Sequence, residues 1–262
     1  MARLHGIHTA IVALCILALS IPAFSANAGT LDFFLLTGYG LPAGGYTDTF
    51  LCSREYNSGN EFKKEVNHYL NYGKGLQVVT GFEYYFQKIL SMRLSLCYTR
   101  GFPPLEVSYV HADGNIRFKE EYTGDMFGIN LKLIPHVPIN KSASFYAGAG
   151  AGCYYALLSI APVSNNDTTA TFENGSLRTS PGLGLNGVLG IDYFFTGRTA
   201  VFFECSFDQI SFNLEQRKNT NGSVIDYKKD SPDSPAPVKI PGSNVGFRLG
   251  IKITLVKPSE HS

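Results

Sequence analysis

The segment Ser144–Tyr155, SFYAGAGAGCYY, constrains the chain more than any other. One parity holds Phe145, Ala147, Ala149, Ala151, Cys153 and Tyr155, and the other holds Tyr146, Gly148, Gly150, Gly152 and Tyr154. Only an element of period two separates the sets so cleanly. The run carries no charge, so it is not the solvated face of a water-soluble sheet. The glycine face suits a crowded interior or a steep bend. The other face is apolar with aromatics at both ends, the form of a strand crossing a thin apolar layer.

The first 28 residues are expected to be a secretory signal. Arg3, His5 and His8 precede the apolar stretch Ile11–Leu19, Pro22 breaks it, and Ala26-Asn27-Ala28 fits a small-x-small cleavage site. The apolar stretch is shorter than the ~20 residues a spanning helix needs. Residues 29–262 are then one domain. A formal net charge of +1 argues against a nucleic-acid partner. Mean hydropathy near zero fits a barrel, in which lipid-facing and lumen-facing residues average out, as well as it fits a soluble protein. Beyond the signal, Cys52, Cys97, Cys153 and Cys205 show no metal-ligand spacing. Parity puts Cys153 and Cys205 on the apolar face. Free thiols are the expected state, with a Cys52–Cys97 disulfide near one rim as the alternative.

Eight segments alternate: 30–41, 75–86, 90–100, 122–133, 144–155, 181–195, 199–208 and 244–256. The first is the least regular, because both parities are apolar; Asp32, Gly38 and Gly40 are expected inside. The connections run long, short, long, short, long, short, long. The long ones, 43–74 (with room for a helical turn), 101–121, 158–179 and 209–243, are polar and read as loops. An even number of ~10-residue strands, with short turns at one end and long loops at the other, is the pattern of an all-β antiparallel up-and-down transmembrane barrel. A secreted β-sandwich binding protein explains the alternation but not the loop asymmetry.

The segments FYAGAGAGCYY, GLGLNGVLGIDYFF (182–195), AVFFECSFD (200–208) and NVGFRLGIKITL (244–255) resemble the small OmpA-like eight-stranded outer-membrane barrels of Gram-negative bacteria. The resemblance covers the mature chain. It departs at the end, where six polar residues follow Val256, and in having no Trp. It implies an outer-membrane location, lipid as the surrounding partner, and a monomer.

Energetics set the orientation of the strands. Arg or Lys on the lipid face near the midplane costs about 2–4 kcal/mol. The charged parity therefore points inward, and an eight-stranded barrel is just wide enough for side chains to fill it. Glu83, Arg93, Lys132, Asp192, Glu204, Asp208, Arg248 and Lys252 are expected to form a buried polar network. Glu83 should pair with Arg93 across a short turn, and Asp192 and Glu204, where close, should need a cation such as Arg248 or Lys252 nearby. An ionic plug is the favoured reading, and a gated pore or small-molecule transporter the alternative. His68, His111 and His136 are expected in loops or turns without carboxylate neighbours. No catalytic, metal or cofactor motif stands out, so the expected role is structural or adhesive. Ligands, including host molecules, would meet the long loops.

Overall fold

A computed structural model describes residues 28–43, 50–56, 62–69, 71–101, 103–110, 116–140, 142–165, 175–196, 198–219, 224–226 and 239–256. The expected signal, residues 1–27, lies outside them.

Eight long strands form the wall: β1 (Thr30–Pro42), β2 (Gly75–Gln87), β3 (Leu90–Arg100), β4 (Ile116–Pro138), β5 (Ala143–Asn165), β6 (Gly182–Phe194), β7 (Thr199–Asn219) and β8 (Asn244–Val256). Each pairs antiparallel with the next, and β8 pairs with β1, from Leu31 opposite Val256 to Pro42 opposite Asn244. The ring is closed, so the eight strands leave no edge for further pairing. A two-sheet sandwich would keep edges, and that reading is ruled out.

Parity decides which face is inside. In β2 exposed Leu76, Val78, Phe82, Tyr84 and Phe86 alternate with buried Gln77, Val79, Glu83 and Tyr85. In β8 exposed Phe247, Leu249, Ile251, Ile253 and Leu255 alternate with buried Arg248 and Lys252. A one-residue slip would turn every one of these charges outward, so the charges hold the register. β1 places Asp32 and Gly40 inside together with Phe34 and Leu36, which is why its two parities look alike in the sequence.

The inward glycines make room for tyrosines. Gly190 stands opposite Tyr146, and a Cβ there would strike the phenol ring. A Cβ at Gly184 would come within 2.9 Å of Tyr154 Cε2, and one at Gly128 within 2.5 Å of Tyr154 Cδ1. The Tyr146 ring thus lies across Gly190 and the Tyr154 ring across Gly184 and Gly128, where any larger residue would clash.

Several segments expected as loops are strands. β4 and β5 each run 23 residues, and β7 continues to Asn219, all beyond the apolar band. The expected helical turn in 43–74 is replaced by paired strands Phe50–Tyr56 and Phe62–Tyr69. Leu105–Val110 pairs with β4, and Gly175–Thr179 sits between β5 and β7. Val224–Asp226 and Lys239–Pro241 pair with β7. Past the apolar band the inward parity stays apolar where it meets the buried interior, as at Leu158, Ile160, Ile210 and Phe212, and the outermost residues are tied by backbone pairing.

Candidate functional site

The lumen has two layers. Near the long-loop end it is apolar: Tyr72, Met126, Tyr154, Phe212 and Ile240 pack in one buried cluster, with the Tyr72 and Phe212 rings edge to face at 5.5 Å. Segments 71–74 and 239–243 are tied together there. Tyr72 N donates to Pro241 O at 3.0 Å, and Asn71 Nδ2 donates to Ser243 O at 3.1 Å. This layer has no period in the sequence, because part of it comes from the long connections.

Nearer the short turns the lumen is ionic. All eight residues Glu83, Arg93, Lys132, Asp192, Glu204, Asp208, Arg248 and Lys252 are buried. Arg93 is the hub. Its Nε and Nη2 donate to Glu83 Oε2 at 3.0 and 2.8 Å, and its Nη1 donates to Glu204 Oε2 at 2.5 Å. Its guanidinium lies 5.0 Å from the ring centroids of both Phe34 and Tyr146, and 5.7 Å from that of Phe202. Planarity and delocalisation let arginine pair in its plane and stack on its faces at once. Glu83 and Arg93 face each other across the β2–β3 turn, whereas Arg93 and Glu204 join β3 to β7, strands on opposite sides of the ring.

Further bridges lock the remaining wall. Lys252 Nζ lies 3.1 Å from Asp192 Oδ2 and 3.2 Å from Glu83 Oε2. Arg248 reaches Glu204 Oε1 at 3.3 Å and Asp208 Oδ2 at 3.4 Å, while its Nε donates to Gln77 Oε1 at 2.8 Å. Asp192 and Glu204 each have a cation beside them, Lys252 for the first and Arg93 and Arg248 for the second. Lys132 is the weakly held member. Its ammonium donates to Ser95 Oγ at 3.5 Å, and no carboxylate of a described residue pairs with it.

His136 belongs to this layer rather than to a turn, and it has carboxylate neighbours. Its Nε2 is 2.8 Å from Glu83 Oε1 and 2.9 Å from Ser91 Oγ, and its Nδ1 is 3.8 Å from Asp192 Oδ2. Ser91 donates to Glu83 Oε1 at 2.5 Å. The set has the members of a hydrolytic triad, but Ser91, His136 and Asp192 are each at most 1% exposed, so no substrate reaches the hydroxyl here. What the set does is join β2, β3, β4 and β6. His136 continues the inward parity of Asn130, Lys132 and Ile134, a signal hidden by Pro135 between them. Asp32, at 2% exposure on β1, is a further buried acid that the expected network omitted. His68 and His111 lie outside the residues whose side chains are described.

The thiols also differ from one alternative. Cys97 is free and faces the lumen beside Asn130; Cys153 is exposed on the outer face, and Cys205 is half-buried there. The Cys52 side chain lies outside the described residues. Among the described residues no group of three His, Cys, Asp or Glu side chains is arranged to hold a metal ion, and no helix is long and apolar enough to cross a membrane.

No family model matches the chain, and no curated protein matches it. Solved structures do. A major outer membrane protein from Thermus thermophilus aligns over 86% of this chain and 99% of its own at 14% identity, with a TM-score of 0.50. The fold is that of an outer-membrane β-barrel. OprG from Pseudomonas aeruginosa aligns over 89% of this chain and 99% of its own at 10% identity, TM-score 0.45. Neisserial surface protein A aligns over 87% and 98% at 9% identity, TM-score 0.45. On that fold the exposed band of Leu, Ile, Phe and Val lies on the outside of the wall, and the two layers fill its inside.

Proposed function

We propose that this chain is a bacterial outer-membrane protein, exported by a signal in residues 1–28. It acts as a closed, rigid stem that holds its long loops at the cell surface for structural or adhesive contact. The observation that carries the reading is the bond from Arg93 to Glu204, which runs across the barrel from β3 to β7. An ionic layer bridged from wall to wall, beneath an apolar layer at the long-loop mouth, is a plug and not a lined channel. The outer face supports membrane insertion: Leu96, Ile129, Leu189, Phe203 and Leu249 are each at least half exposed, and water would penalise that surface. Among described residues the chemistry is physical. Every strand of the wall bonds two neighbours, as a membrane interior demands, and the specific contacts belong to the loops.

Planar-bilayer recording tests the plug. The purified protein is expected to insert without steady conductance; stable unitary currents would favour a pore or transporter. A whole-cell binding screen with each long loop deleted tests the adhesive part. Loss of surface binding with one deletion supports it, and indifference to all four opposes it.

A further inference from the structure

The outer wall is stratified at one place beyond what lipid solvation requires. Across β3, β4, β5 and β6, Leu96, Ile129, Cys153 and Leu183 stand side by side in register. One step toward the long-loop end is an aromatic row, Tyr98, Phe127 and Tyr155, with the Tyr98 and Phe127 centroids 4.8 Å apart. One step further is a charged row: Arg100, Asp125, Leu157 and, on the strand Gly175–Thr179, Arg178. Aliphatic, aromatic and charged rows in that order mark the edge of a hydrocarbon layer.

The aliphatic and aromatic rows are not flush. They border an open hollow of about 500 Å³ on the outer wall, lined by Val78, Leu96, Phe127, Cys153, Tyr155 and Pro181. That size lies within the ~300–1,000 Å³ of ligand sites. Small Cys153 stands among larger neighbours there, and β6 begins at Gly182, just after Pro181. Directly above it, exposed Arg178 is held by a bond from its Nε to Tyr155 Oη at 2.8 Å. Asp125, in the same row, accepts from Tyr98 Oη at 2.7 Å. The row therefore carries two guanidiniums against one carboxylate.

The geometry points to a binding site for one acyl lipid with an anionic phosphate headgroup, in the leaflet at the long-loop end. An acyl chain would occupy the hollow, and the phosphate would meet Arg178, with Arg100 as the second cation. Guanidinium recognises phosphate through paired N–H donors, and the net positive row selects an anionic headgroup over a zwitterionic one. This inference rests on the membrane orientation proposed above.

The chain contains no Trp, so one introduced indole is an unambiguous reporter. Leu183→Trp places it beside the hollow, and Leu249→Trp places it on the wall away from it. In phosphatidylcholine bilayers, brominated phosphatidic acid is expected to quench Leu183→Trp several-fold more strongly than brominated phosphatidylcholine at the same mole fraction. Leu249→Trp should be quenched equally by both. Adding Arg178→Gln should abolish the preference at 183 while leaving ordinary quenching intact. Equal quenching at 183, or a preference that survives both Arg178→Gln and Arg100→Gln, would overturn the site but not the membrane reading. Absence of quenching by either lipid at both positions would overturn the two together.

Discussion

Replacing Arg93 by Met tests how the barrel is held together. The guanidinium is 1% exposed and makes three hydrogen bonds, two to Glu83 and one to Glu204. Removing one partner of a buried ion pair costs about 3–5 kcal/mol, because the surviving charge keeps its desolvation penalty. Here the survivors are not bare. Glu83 keeps Lys252, His136 and Ser91, and Glu204 keeps Arg248 and Tyr146. Met also retains contact with Phe34, Tyr146 and Phe202. The lower end of the range, about 3 kcal/mol, is therefore expected, roughly a hundredfold in the folding equilibrium. Urea titration of protein refolded into lipid vesicles, followed by heat-modifiable migration on gels, measures it. The double variant Arg93→Met/Glu204→Gln should cost less than the sum of the two single changes, since it removes the stranded carboxylate. A loss within about 1 kcal/mol of zero for Arg93→Met, or strict additivity in the double variant, would refute the hub.

Other consequences follow from single contacts. Gly190→Leu should drive a side chain into Tyr146 and cost about 1–3 kcal/mol, seen as a smaller folded fraction after refolding. Tyr72→Phe should leave stability unchanged or raise it by about 1 kcal/mol in the same titration, because the Tyr72 hydroxyl is buried with no hydrogen-bond partner among the described residues. Lys132→Met should cost far less than Arg93→Met, since Lys132 holds only a 3.5 Å bond to Ser95.

The sequence carried the wall of this fold because an apolar outer face and a charged inner one impose period two. β8 is the clearest case, with Arg248 and Lys252 set between five large apolar residues. Where one of those two demands lapses, the pattern lapses too. β1 offers Phe34 and Leu36 to the lumen because they pack against neighbouring interior groups, among them the Arg93 guanidinium beside Phe34, so its faces look alike. Residues 116–121, 157–165 and 209–219 extend their strands past the apolar band on backbone pairing, with Leu158, Ile160, Ile210 and Phe212 turned into the buried cluster at the mouth. The alternating segment 122–133 stops short of Pro135. That proline lies at the short-turn end opposite Leu90, where β3 begins, and the ladder passes it to place His136 inside. The apolar mouth was hidden for another reason: Tyr72 and Ile240 come from separate connections 168 residues apart, and neither local segment has a periodic signal.

The orientation of the wall is tested most directly at two positions in a cysteine-free background, Leu249→Cys and Lys252→Cys. The first is 58% exposed on the outer face and the second 1% exposed within the lumen. With a fluorophore on each thiol in vesicles, a quencher confined to the acyl chains is expected to dim position 249 strongly and leave position 252 bright. Quenching at 252 in place of 249, or at neither, would contradict a barrel that turns its apolar side to hydrocarbon and encloses its charges.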